Sequence, residues 1–82
     1  MAKLAELDRA VLTAPLPADG LEVGDVGTVV HVYPDGCAFE VEFTTLDGRT
    51  VAVVTAEASQ VRPVGDRDLT HARELAALLP AL

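Results

Sequence analysis

Turn-forming words recur along this chain and constrain it more than any other feature. Pro15 and Pro17, Gly24-Asp25, Pro34-Asp35-Gly36, Asp47-Gly48 and Pro63 all fall between residues 13 and 65. Each restricts or frees the backbone in a way that ends a regular element. The runs left between them are short and Val-rich, the pattern of β-strands joined by tight turns. Residues 8–13 read as a first strand stopped by the two prolines, and residues 14–24 as a long loop returning at Gly24-Asp25. Residues 26–33 read as a second strand, with Thr28, Val30 and Val32 expected to face the core and Val29, His31 and Tyr33 to face outward.

The third run alternates cleanly, with Phe39, Val41 and Phe43 on one face and Ala38, Glu40 and Glu42 on the other. Asp47-Gly48 then supplies a hairpin turn, residues 50–55 a fourth strand, residues 56–60 a single helical turn, and residues 61–64 a last strand kept to an edge by Pro63. After Gly65 the character changes. Asp66 or Asp68 can cap an amphipathic helix running to about Leu79, with Pro80 beyond it and an apolar side of Leu69, Ala72, Leu75, Ala76, Leu78 and Leu79. The expectation is a mostly β protein, a small five-stranded barrel over residues 1–65, followed in residues 66–82 by a C-terminal α-helix packed on the barrel or on a partner.

Leu7-Asp8-Arg9, the word running from Gly24-Asp-Val-Gly-Thr-Val-Val to Gly36, Phe39-Glu-Val-Glu-Phe43, Asp47-Gly-Arg49 and Val61-Arg-Pro63 together resemble a family of small stand-alone bacterial proteins. That family is classed as a domain of unknown function with an SH3-like fold, and the resemblance covers roughly residues 7–64. A looser similarity exists to the SH3-like barrels of nitrile hydratase β-subunits and their activators. The resemblances imply an SH3-like barrel and, from the second, an accessory role beside a metal site carried by another chain. They bring no catalytic residue with them.

Size and charge narrow the function. With 82 residues the chain allows one domain, and a lobed enzyme with a deep pocket is not expected. A net charge of −7, with four bases against ten acids in residues 1–65, sets up a repulsive field for nucleic acid and disfavours a KOW-like binding module. The single Cys37 can form no internal disulfide and is no metal framework, which suits a reducing cytoplasm. No apolar run reaches the ~20 residues of a membrane span.

Candidate chemistry is sparse. His31 and His71 stand forty residues apart, Cys37 has no flanking base, and Glu40 and Glu42 follow from strand alternation as readily as from a paired-carboxylate site. No catalytic residue, metal site or cofactor is therefore expected, and the chain is read as a non-enzyme. Two binding surfaces remain. In SH3-like barrels the first loop and the turn after the second strand border a shallow groove, here Pro17, Asp19, Leu21, Tyr33, Pro34 and Asp35, suited to a basic or proline-rich segment. The second is the leucine face of the expected helix, Leu69, Leu75, Leu78 and Leu79, as cap, homodimer contact or partner groove. The leading expectation is a protein-binding module of inhibitor or antitoxin-like type; the alternative is an accessory subunit or activator of a metal-dependent enzyme of nitrile hydratase type.

Overall fold

The computed structural model describes residues 3–75. Five strands, β1 (Arg9–Leu12), β2 (Val26–Val32), β3 (Ala38–Thr44), β4 (Thr50–Glu57) and β5 (Val61–Pro63), form a single antiparallel sheet in the order β4-β3-β2-β1-β5. Short 3₁₀ turns occupy Pro17–Asp19, Pro34–Gly36 and Ala58–Gln60, each where a Pro or a single helical turn was read from sequence. The mostly β character is as expected. The C-terminal helix is not: the described residues contain no α-helix, and the five strands make one sheet with β4 and β5 at its ends. After the turn at Ala58–Gln60 the chain crosses to β1, where Leu12 lies opposite Val61 and Ala10 opposite Pro63.

Inward side chains of all five strands meet in one core, formed by Ala10, Leu12, Val29, Phe39, Val41, Phe43, Val54, Ala56 and Val61, with Leu21 added from the first loop. The alternation of β3 holds without exception, because Phe39, Val41 and Phe43 are buried and Glu40 and Glu42 face outward. On β2 the expected core face is reversed: Val29 is fully buried and Val30 is 37% exposed. Gly27 explains the choice. A Cβ there would lie 2.6 Å from Val41 Cγ1 and 2.9 Å from Phe43 Cε2, so the inward row of β2 begins with the residue that leaves room for the β3 side chains. A register shift between Val29 and His31 then places Val30 as an extra outward residue and returns Val32 to the core edge.

The segment from Asp66 to Leu75 is not helical. Asp68 accepts the Gly65 N–H at 2.6 Å and pairs with Arg62 at 2.8 Å, which closes a turn in place of a helix start. Beyond it the chain crosses the Gly24-Asp25 corner without regular secondary structure. A helix of this length is marginal by itself, and one here would forfeit the contacts described below. The part of the expected helix beyond Leu75, including Leu78 and Leu79, lies outside the described residues. No helix of the described residues is long and apolar enough to cross a membrane.

Candidate functional site

Two clusters of polar side chains stand out, one at the mouth of β2 and one on the outer face of β2, β3 and β4. The first is built on Asp25, a buried charged residue at 8% exposure. Its position is fixed locally: Leu12 donates its N–H to the Asp25 carbonyl, Asp25 donates to the Glu22 carbonyl, and the Glu22 N–H returns to Asp25 Oδ2 at 2.8 Å. Arg73 then closes on the same carboxylate with Nε to Oδ1 at 2.8 Å and an NH2 group to Oδ2 at 2.7 Å, a bidentate fork, while also donating to the Gly20 carbonyl. His71 Nε2 lies 3.1 Å from Oδ1, and since a carboxylate only accepts, that nitrogen carries the proton.

Residues 71 and 73 reach one carboxylate together from a segment without regular structure; in a helix, two positions apart, their side chains would diverge. The His71 ring also lies over Gly24, whose φ of +98° favours glycine and whose Cβ, if present, would stand 3.1 Å from the ring. The Gly24-Asp25 pair therefore serves as a seat for the C-terminal segment. Burial pushes the Asp25 carboxyl upward, but the hydrogen bonds from Arg73 and Glu22, the Arg73 charge and His71 outweigh it and hold the acid below its ordinary value. Its acceptor positions are filled by protein donors, so it makes a poor base or ligand in this state.

The second cluster lies on the outer face, with Tyr33, Glu40 and Glu42 half-buried. Tyr33 donates its hydroxyl to Glu40 Oε2 at 2.6 Å, Thr55 donates to the same oxygen, and Thr50 donates to Glu42 Oε2 at 2.7 Å. His31 meets Tyr33 edge to face, with ring centroids 4.7 Å apart. The Thr55 and Tyr33 hydroxyls lower the Glu40 carboxyl, and Glu40 in turn raises the Tyr33 phenol. Neither Glu40 nor Glu42 pairs with a Lys or Arg among the described residues, although three other acids, Glu22, Asp25 and Asp68, have a basic partner. Sequence spacing placed these glutamates on one face; the threonines of β4 that orient them carried no signal without knowledge of the β3–β4 register, in which Glu40 lies opposite Thr55.

The groove expected from sequence is only partly assembled. Leu21 is buried in the core at 4% exposure and cannot greet a partner. Pro17 and Asp19 lie exposed on one 3₁₀ turn, Pro34 and Asp35 on another, and no hydrogen bond or ion pair among the described residues links the two turns. Tyr33 is half-buried and turned toward Glu40. Leu69 is 92% exposed, and with Leu75 it borders an open cleft of about 1140 Å³ that also touches Phe43, Leu46 and Val51. Cys37 is a free, exposed thiol. Among the described residues no three His, Cys, Asp or Glu side chains converge as metal ligands would.

Residues 6–63 match the sequence model of a family described as Domain of unknown function (DUF4926). No curated protein and no solved structure matches the chain.

Proposed function

The chain belongs to the DUF4926 family, and we propose that this member is a non-catalytic module that binds a basic protein through the outer face of β2, β3 and β4. The observation that carries this reading is the pair Glu40 and Glu42, held by Tyr33, Thr55 and Thr50 on the sheet and paired with no Lys or Arg among the described residues. Two carboxylates on alternate positions of a strand stand roughly 6–7 Å apart along the chain, within reach of neighbouring Arg or Lys side chains of an extended segment. The Tyr33 ring beside them offers apolar area, and the net charge of −7 speeds encounter with a basic surface. Binding of this kind needs no chemistry from the module itself, so an inhibitor or antitoxin-like role in the cytoplasm is its narrower form.

Affinity capture from a lysate of the source cell tests it, with the wild-type chain beside a Glu40→Gln, Glu42→Gln variant at low and moderate salt. Glutamine preserves the shape and removes the charge. A basic protein retained by the wild type and released by the variant or by added salt is expected; no retained protein, or equal retention by both, overturns the reading.

A further inference from the structure

The two ends of the sheet are unlike. β5 is three residues long and ends in Pro63, which has no N–H to offer, so that edge is blunted. β4 is eight residues long, without proline or lysine, and no described strand pairs with its outer side. Which of its backbone groups face outward follows from the ladder with β3. Cys37 accepts the Ala58 N–H just beyond the strand ends, so the pairs Phe39/Ala56 and Val41/Val54 carry the ladder hydrogen bonds. The same alternation turns the N–H and C=O of Val53 and Thr55 to the open side, and no other hydrogen bond of the described residues takes those groups up. The register irregularity lies at the Thr44 end, clear of this stretch.

The side chains beside that stretch specify its occupant. The face away from the core carries Ala38, Glu40 and Glu42 on β3 and Val53, Thr55 and Glu57 on β4, acids at three positions and a base at none. Glu40 and Glu42 are drawn toward the edge: each gives Oε2 to a β4 hydroxyl, Thr55 for Glu40 and Thr50 for Glu42, and Oε1 of each accepts from no donor among the described residues. A strand added to β4 would lie about 4.8 Å beyond it and roughly 10 Å from β3, a gap closed by a long cationic side chain and a glutamate leaning over a threonine. A second copy of β4 would instead set its own Glu57, Glu40 and Glu42 beside these acids. On the basic-protein reading above, on which this inference rests, we propose that an extended basic segment of the partner joins the sheet as a strand along β4. Its backbone pairs with Val53 and Thr55, and its alternate Lys or Arg side chains lie over Glu40 and Glu42.

Fluorescence anisotropy tests this with a labelled short peptide, Lys at alternate positions and Thr or Val between, titrated with the full chain up to about 1 mM, the weak end of specific association. Two further peptides carry backbone N-methyl groups, one at every Lys and the other at every Thr and Val. Charge is equal in all three, but on an added strand the N–H groups of one alternate set face β4 and those of the other face water. Saturable binding of the unmethylated peptide is expected, about tenfold weaker with one set methylated and little changed with the other. The Lys set is the sensitive one for an antiparallel strand, because opposed residues then share a face and Val53 and Thr55 point outward. Equal binding by the two methylated peptides, or no binding of the unmethylated one, overturns the proposal. The Glu40→Gln, Glu42→Gln variant separates that failure from failure of the reading beneath it. Binding that the variant weakens but methylation does not removes only the edge; binding indifferent to the variant removes both.

Discussion

Gly27→Ala isolates the tightest approach in the sheet. The added methyl would lie 2.6 Å from Val41 Cγ1, 2.8 Å from the Glu42 carbonyl oxygen and 2.9 Å from Phe43 Cε2. A side chain could rotate away, but the Glu42 carbonyl belongs to β3, whose residue 42 pairs with Thr28, so relief requires opening the β2–β3 ladder. Overpacking of a filled core costs about 1–3 kcal/mol, and contact with fixed backbone puts this site near the top of that range. Alanine's smaller unfolded-state entropy returns roughly 0.4–1 kcal/mol, leaving a net loss of about 2 kcal/mol. For a domain of this size that lowers the melting temperature by roughly 8–16 °C, read by far-ultraviolet circular dichroism. Gly48→Ala is the matched control: its φ is +92° and nothing lies within 4 Å of a Cβ, so only backbone strain of about 1 kcal/mol is at stake. If Gly27→Ala melts within about 2 °C of the wild type, or above Gly48→Ala, the packing argument for the β2 face is refuted.

Arg73→Ala should cost about 2 kcal/mol, the value of charge-assisted hydrogen bonds on a mostly buried carboxylate, with Arg73→Lys intermediate because it keeps the charge and loses the fork. Urea midpoints measure the loss, and faster proteolysis within residues 66–75 should accompany it; an unchanged protease pattern would show that the segment is held by something else. Acid should weaken the fold in the same place. Asp25 lies below its ordinary 3.8 when folded, and Asp68 is held at about 2 by Arg62 and the Gly65 N–H, so both bind fewer protons folded than unfolded. Their stabilisation is complete above about pH 4 and disappears as pH falls through the folded values, and the urea midpoint should drop below pH 4 with a smaller drop in Arg73→Ala.

Elements governed by local chemistry were legible in the sequence. The β3 alternation, the Asp47-Gly48 turn, the single helical turn before Val61 and the confinement of Pro63 to an edge all rest on residues within a few positions of each other. The β2 face was misassigned because both rows are Val-rich, and what separates them is the space that Gly27 leaves for Val41 and Phe43 on another strand. The C-terminal helix failed for a similar reason. Leucine spacing over residues 69–79 favours a helix locally, while His71 and Arg73, two apart, are claimed by a carboxylate nearly fifty residues upstream. A His-x-Arg word beside a Gly-Asp corner was the available signal, and only the long-range pairing gives it meaning.

That pairing also changes what residues 66–75 do for the sheet. An apolar cap would have buried leucines, whereas Leu69 is 92% exposed and the firm contacts are Arg73 and His71 on Asp25 and Arg62 on Asp68. The family match ends at residue 63, so the acceptor Asp25 belongs to the shared domain and its donors to the segment that follows. The Glu22 N–H alone would leave most of the Asp25 oxygens without a protein donor, and removing one partner of a mostly buried ion pair costs more than the pair itself contributes. Truncation after Gly65 should therefore destabilise the sheet through an orphaned carboxylate. Asp25→Asn in the truncated chain should restore part of the loss, since a neutral amide tolerates the vacated site; equal melting temperatures for the truncated chain with Asp25 or Asn at that position would refute the electrostatic account.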